Sequence, residues 1–188
     1  MDALRKHFAK SRKRIEIERL KGAIEAKLAQ MIRLNKSRVD FQETFQKLID
    51  EYNAGSKNVE AIYEELLEFI KKLNDEERRH ISEQLSEEEL ALLDLLLKPR
   101  LEITRKEELE VKGVAKELLE KLKNEMIVLD WRQRQQSRAA VKLCIEEMLD
   151  RLPRVYTPEI YKAKCENVYQ HVYDSYFGPD RSVYAMAM

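Results

Sequence analysis

Glycine and proline are scarce in this chain, four of each in 188 residues, and that scarcity argues against the turn-rich β architectures that depend on both. Cysteine is scarcer still. Cys144 and Cys165 fall on the apolar faces of two expected helices, with neither zinc-like spacing nor a Cys-x-x-Cys pair, and read as small buried hydrophobes in a reducing compartment. No apolar run approaches the ~20 residues of a membrane span, and no signal peptide is recognisable. The expected location is cytoplasmic, without a membrane partner. Gly22, Gly55, Gly113 and Gly178 stand apart from one another, so no glycine-rich loop is available to surround nucleotide phosphates. His7, His80 and His171 share no ligand spacing, the acid-x-lysine triplet Glu110-Val111-Lys112 lies inside a helical pattern, and Glu87 to Glu89 suit a helix start better than a metal. Catalytic, cofactor-binding and metal residues are therefore expected to be absent.

What the chain has is charge and helical periodicity. Charged residues make up 37% of it and cancel to zero, yet they are unevenly placed. Residues 1–38 carry 12 Lys/Arg against 4 Asp/Glu, residues 39–98 carry 7 against 16, and the remainder 16 against 15. The basic arm and the acidic block can attract each other within the fold or face separate partners.

The periodicity predicts an all-α, multi-helix bundle of about six to eight helices with short loops, a single helical domain over 1–188 with possible lobes at 1–98 and 99–188. A first helix from near Arg12 carries Ile17, Leu20, Ile24, Leu28 and Met31 as a heptad-like stripe. Ser37 and Asp40 mark a restart, and Asn53-Ala54-Gly55 a stop. From about Asn58 the residues Val59, Ile62, Leu66, Ile70 and Leu73 share one side of a helix, with a short separate helix expected over 75–84. Ser86 with Glu89, and Thr104 with Glu107, form capping boxes in which hydroxyl and carboxylate satisfy orphan amides. Between them Leu90 to Leu97 is apolar nearly all round, and Pro99 ends that helix. Thr157-Pro158 opens the last helix, which places Tyr161, Cys165, Val168, Val172 and Tyr176 inward. Residues 179–188 read as a loosely ordered tail.

The most distinctive stretch is Asp130-Trp131-Arg132-Gln133-Arg134-Gln135-Gln136-Ser137-Arg138-Ala139. With Asp130 as cap, a helix over Trp131 to Leu152 puts Arg134, Arg138 and Lys142 four residues apart, in line with Ile145 and Met148 further on. Guanidinium groups on such a stripe need carboxylate, phosphate or carbonyl acceptors. Either acids of a neighbouring helix supply them and Trp131 simply packs, or the face meets another molecule. On the second reading the contact residues are Trp131, Arg132, Arg134, Arg138 and Lys142, together with Arg12, Lys13 and Arg14 of the basic arm. Tyr161, Tyr169, Tyr173, Tyr176 and Phe177 read as helix packing first and as stacking platforms second.

Several segments taken in order carry a family resemblance: Leu34-Asn35-Lys36-Ser37-Arg38-Val39-Asp40, Leu48 to Ser56, the Ser86 capping box, the Trp131 stretch, and Val168-Tyr169-Gln170-His171-Val172-Tyr173-Asp174-Ser175-Tyr176. Together they resemble the C-terminal helical region of the R (restriction, motor) subunit of type I restriction-modification enzymes. The resemblance implies a catalytically silent C-terminal part of a larger subunit, whose nuclease and RecA-like motor domains use ATP and Mg elsewhere. It also implies docking onto the methyltransferase and specificity subunits, with duplex DNA as a further possible contact. Alternatives from other classes are an autonomous DNA-binding module and a scaffold that self-associates through the Ile17 to Met31 stripe.

Overall fold

The computed structural model describes residues 2–98 and 101–186, with side chains from residue 12 onward. Pro99 and the side chains of Arg5, Lys6 and Lys10 lie outside the described residues. Seven α-helices and one two-stranded hairpin make up the regular structure apart from short turns, an all-α fold as the periodicity predicts. They form two compact units, Met1–Gln84 and Leu85–Met188. Among the described residues no helix is long and apolar enough to cross a membrane.

The first unit is built from α1 (Asp2–Leu34), α2 (Val39–Asn53) and α3 (Val59–Ser82). Helix α1 begins well before Arg12, because residues 2–11 contain no glycine or proline to stop it. Its heptad-like stripe does not wait for a second copy of the chain: Ile17, Ile24, Leu28 and Met31 join Phe45, Ile49, Ile62, Leu66, Phe69 and Leu73 in one buried core. Phe69 is the meeting point, stacked on Phe45 at 5.7 Å and edge-on to Phe41 at 6.4 Å. Between α1 and α2 the Asn35 side chain accepts the Ser37 amide, and the buried Arg38 Nε donates to Glu76 at 3.0 Å. Arg79 reaches the other oxygen of that carboxylate at 3.1 Å. Glu76 thus has work to do on α3, which continues through Asp75 to Ser82 where the sequence suggested a break.

The second unit is centred on α4 (Glu87–Leu97), whose Leu90, Ala91, Leu92, Leu93, Asp94 and Leu96 are all buried. Such a helix must be covered on every side, and α5 (Arg105–Lys121) and α7 (Pro158–Ser175) cover it. That packing places the unit boundary at 84/85 rather than at 98/99. Both capping boxes form: Ser86 Oγ accepts the Glu89 amide at 3.2 Å while Glu89 accepts the Ser86 amide at 2.6 Å, and Thr104 and Glu107 repeat the exchange. The C-terminal end of α4 is closed from α7, where the buried Lys164 ammonium donates to the carbonyls of Leu95, at 2.8 Å, and of Lys98. Burial alone lowers the pKa of that ammonium. A π turn, Leu122–Met126, follows α5, and α6 (Gln135–Leu149) packs on α7. Cys144 and Cys165 are buried free thiols.

The expected loose tail is corrected by the structure. Strands β1 (Tyr176–Gly178) and β2 (Arg181–Ser182) turn the chain back after α7, and Ser182, Val183 and Tyr184 are buried. The Val183 amide donates to the Ser175 carbonyl at 2.9 Å, and the Tyr184 hydroxyl meets His171 Nε2 at 3.0 Å. Apolar side chains after Pro179, unremarkable in the sequence, find a covered site against α7.

Two outcomes follow from these contacts. Truncation after Ser175 strips three large buried side chains, Tyr176, Val183 and Tyr184, and should cost at least ~3 kcal/mol in urea unfolding of the second unit; an unchanged midpoint would mean that the hairpin is not docked. Bonds from Thr104 lower the pKa of Glu107, so its contribution is fully present above its unfolded pKa and is lost as pH falls through the lowered folded value. The stability gap between the parent chain and Glu107→Gln should accordingly shrink in acid, whereas a gap constant with pH would show that the carboxylate is not capping α5.

Candidate interaction site

The tryptophan stretch does not start a helix at its tryptophan. Asp130 has φ +56°, in the left-handed region that asparagine and aspartate tolerate better than most residues, and its carbonyl accepts the amides of Gln133 and Arg134 at 2.9 and 3.3 Å. Residues 129–133 therefore form a turn, and α6 begins four residues later than the sequence suggested, at Gln135 with Arg134 as N-cap. The reason is the indole. Trp131 is fully buried, its Nε1–H donates to the Tyr176 carbonyl at 3.1 Å, and its ring meets Tyr173 edge-on at 5.8 Å. Reaching that site requires the chain to pivot at Asp130. Trp131 belongs to the core, which removes it from the surface contacts that the sequence allowed.

Burying the indole leaves its basic neighbours near the surface. The Arg132 guanidinium lies 4.5 Å from the Tyr173 ring centroid and 5.1 Å from that of Phe177, a double cation–aromatic contact. Its carbonyl accepts from Arg138 Nη1 at 2.7 Å. Lys142 sits 5.7 Å from the Tyr169 ring and 3.4 Å from Glu166 Oε2. Arg134 is exposed and makes no ion pair among the described residues. Lys142 is thus matched by an internal acid, whereas Arg132, Arg134 and Arg138 have no carboxylate partner among the described residues. Arg132 rests on ring faces and Arg138 on one backbone carbonyl. Helix α6 adds no acid in its first turn and no side-chain cap.

The sequence named the rings of the other half of this surface, as packing residues first and stacking platforms second, but not that cations lie over them. Tyr169, Tyr173 and Phe177 recur every fourth residue along α7 and into β1, and all three are half-buried, forming the platform on which the cations rest. Their spacing was visible, but nothing in the sequence shows that the tryptophan turn lies against them. Val128 (42% exposed) and Leu129 (63%), at the start of the same turn, leave apolar side chains in water a few residues before the arginines in the chain.

The basic arm belongs to the other unit. Lys13 pairs with Glu60 of α3 at 3.8 Å, and Arg12 and Arg14 are exposed. The elevated thiol pKa values of Cys144 and Cys165 come first from burial, which leaves both in the inert protonated form at neutral pH.

Fold and surface together define an all-helical protein that presents an arginine-rich, aromatic-backed patch. A family model described as "Type I restriction enzyme HindI endonuclease subunit-like, C-terminal" matches residues 1–175, and the chain belongs to that family. No curated protein and no solved structure matches it.

Because Trp131 is a core residue, Trp131→Ala should destabilise the second unit by ~3–5 kcal/mol, read by urea unfolding followed by far-ultraviolet circular dichroism. Trp131→Phe keeps an aromatic ring and should cost less, although it leaves the Tyr176 carbonyl without its donor. An alanine variant as stable as the parent would place the indole at the surface instead.

Proposed function

We propose that this chain is the docking part of a type I restriction endonuclease subunit, coupling an ATP-dependent translocase and nuclease to the methyltransferase–specificity assembly in the cytoplasm. The family membership supplies the context. The observation that carries the reading is the patch of Arg132, Arg134 and Arg138, which among the described residues has no carboxylate partner, in a chain that pairs many of its other cations. Bond-breaking chemistry, with its ATP and Mg, falls on this reading to other parts of the subunit, and the helices transmit position.

Mixing the 188-residue chain with the methyltransferase–specificity assembly at micromolar concentration should yield a complex in gel filtration. Separate elution of the two components at that concentration would count against docking.

A second reading, direct contact with duplex DNA, is favoured by one observation: Arg12 and Arg14 are exposed on α1 and pair with no acid among the described residues. It predicts affinity that falls steeply with salt, and a slope that Arg12→Glu with Arg14→Glu flattens by about one to two counterions. Salt-independent or undetectable DNA binding by the intact chain would exclude this reading.

A further inference from the structure

Resting on the docking reading, we infer that the patch on the tryptophan turn receives a protein segment that is both acidic and apolar, rather than a phosphate backbone. Three observations separate those two occupants.

The first is the mixture of chemistries along one short segment. Val128 and Leu129 are exposed and Arg132 and Arg134 follow them, all within seven residues of chain. A phosphodiester backbone offers oxyanions and sugars but little for a leucine that is 63% exposed. An amphipathic protein segment offers both, with carboxylates for the guanidinium groups and aliphatic side chains for Val128 and Leu129.

The second is the extent of positive charge. Duplex DNA carries roughly one charge per 1.7 Å of helix axis and rewards a long basic surface. Here the acid-free stretch spans only residues 131–145, and residues 85–188 as a whole carry 17 Lys/Arg against 19 Asp/Glu. Lys142, at its far end, is already opposed by Glu166. The positive field is local, which suits a few matched carboxylates and does not suit a polyanion.

The third is the way Arg132 is held. Its planar group is backed by Tyr173 and Phe177, and its backbone carbonyl is tied by Arg138, so much of the rotamer freedom that an arginine gives up on binding is already restricted. A ring-backed guanidinium keeps its N–H edge for a carboxylate fork, the geometry in which arginine serves as an interface anchor. The same stacking covers the ring faces that unpaired bases would need.

The test uses the intact 188-residue chain carrying a photo-crosslinking amino acid at Leu129 or, separately, at Arg134, mixed with the methyltransferase–specificity assembly and a 30-base-pair duplex. The inference predicts crosslinks from both positions to one protein segment that contains Asp or Glu among aliphatic residues. It also predicts that Arg132→Lys, which keeps the charge and loses the planar fork, weakens the complex at least five-fold, with Trp131 fluorescence unchanged as the check on folding. Crosslinks from these positions to DNA would overturn the inference, and so would an unaltered affinity for Arg132→Lys. A complex in gel filtration without any crosslink from either position would overturn the assignment of the surface while leaving docking standing. Failure to form a complex at all would remove the docking reading and this inference with it.

Discussion

One hydrogen bond organises the C-terminal unit: the indole N–H of Trp131 to the backbone carbonyl of Tyr176. A tryptophan can be buried completely only where its single donor finds an acceptor, and here the acceptor is the first residue after α7. The bond joins positions 45 residues apart. It requires the pivot at Asp130, delays the start of α6, and ties the tryptophan turn to the strand that begins the C-terminal hairpin. Tyr176 is held from its other end as well, its hydroxyl donating to Glu88 at 2.7 Å while Lys123 pairs with the same carboxylate. Helix α4, the π turn, the tryptophan turn and the hairpin therefore meet around one tyrosine.

The proposed docking surface follows from that closure. With the indole directed inward, Arg132 comes to lie over Tyr173 and Phe177, Arg134 becomes an exposed N-cap, and Arg138 is drawn to the Arg132 carbonyl. The Arg132 guanidinium is positioned by ring faces and that of Arg138 by a backbone carbonyl, not by acids. Such an arrangement contributes little to stability by itself, since cation–aromatic contacts at exposed sites are worth roughly 0.5–1 kcal/mol each. On the docking reading proposed above, its use lies in keeping N–H edges available for an acceptor on a partner.

Much of the fold was legible in the sequence because it is written in local signals. Both capping boxes, the Asn58 and Thr157 starts, the Gly55 stop and the buried faces of α1 and α3 depend on residues within a few positions of one another. The departures come from long-range contacts. A helix predicted to begin at Trp131 begins at Gln135 because the indole has a partner on β1. The tail folds because Val183 and Tyr184 find cover against α7, and α3 runs on past Asp75 because Glu76 meets Arg38 from the turn after α1. For the site, the cations and the rings were readable and their contact was not. The rings are spaced as ordinary packing residues would be, and only the tertiary fold shows Arg132 lying over two of them.

On the reading proposed above, the tryptophan turn and the ring face beside it form one binding surface, held ready by the burial of Trp131. Hydrogen–deuterium exchange of the intact chain, alone and with the methyltransferase–specificity assembly, tests it most directly. Residues 128–142 and 169–177 should gain protection together, with the rest of the second unit unchanged. Protection confined to other helices, or none in these two segments while the complex is formed, would contradict it.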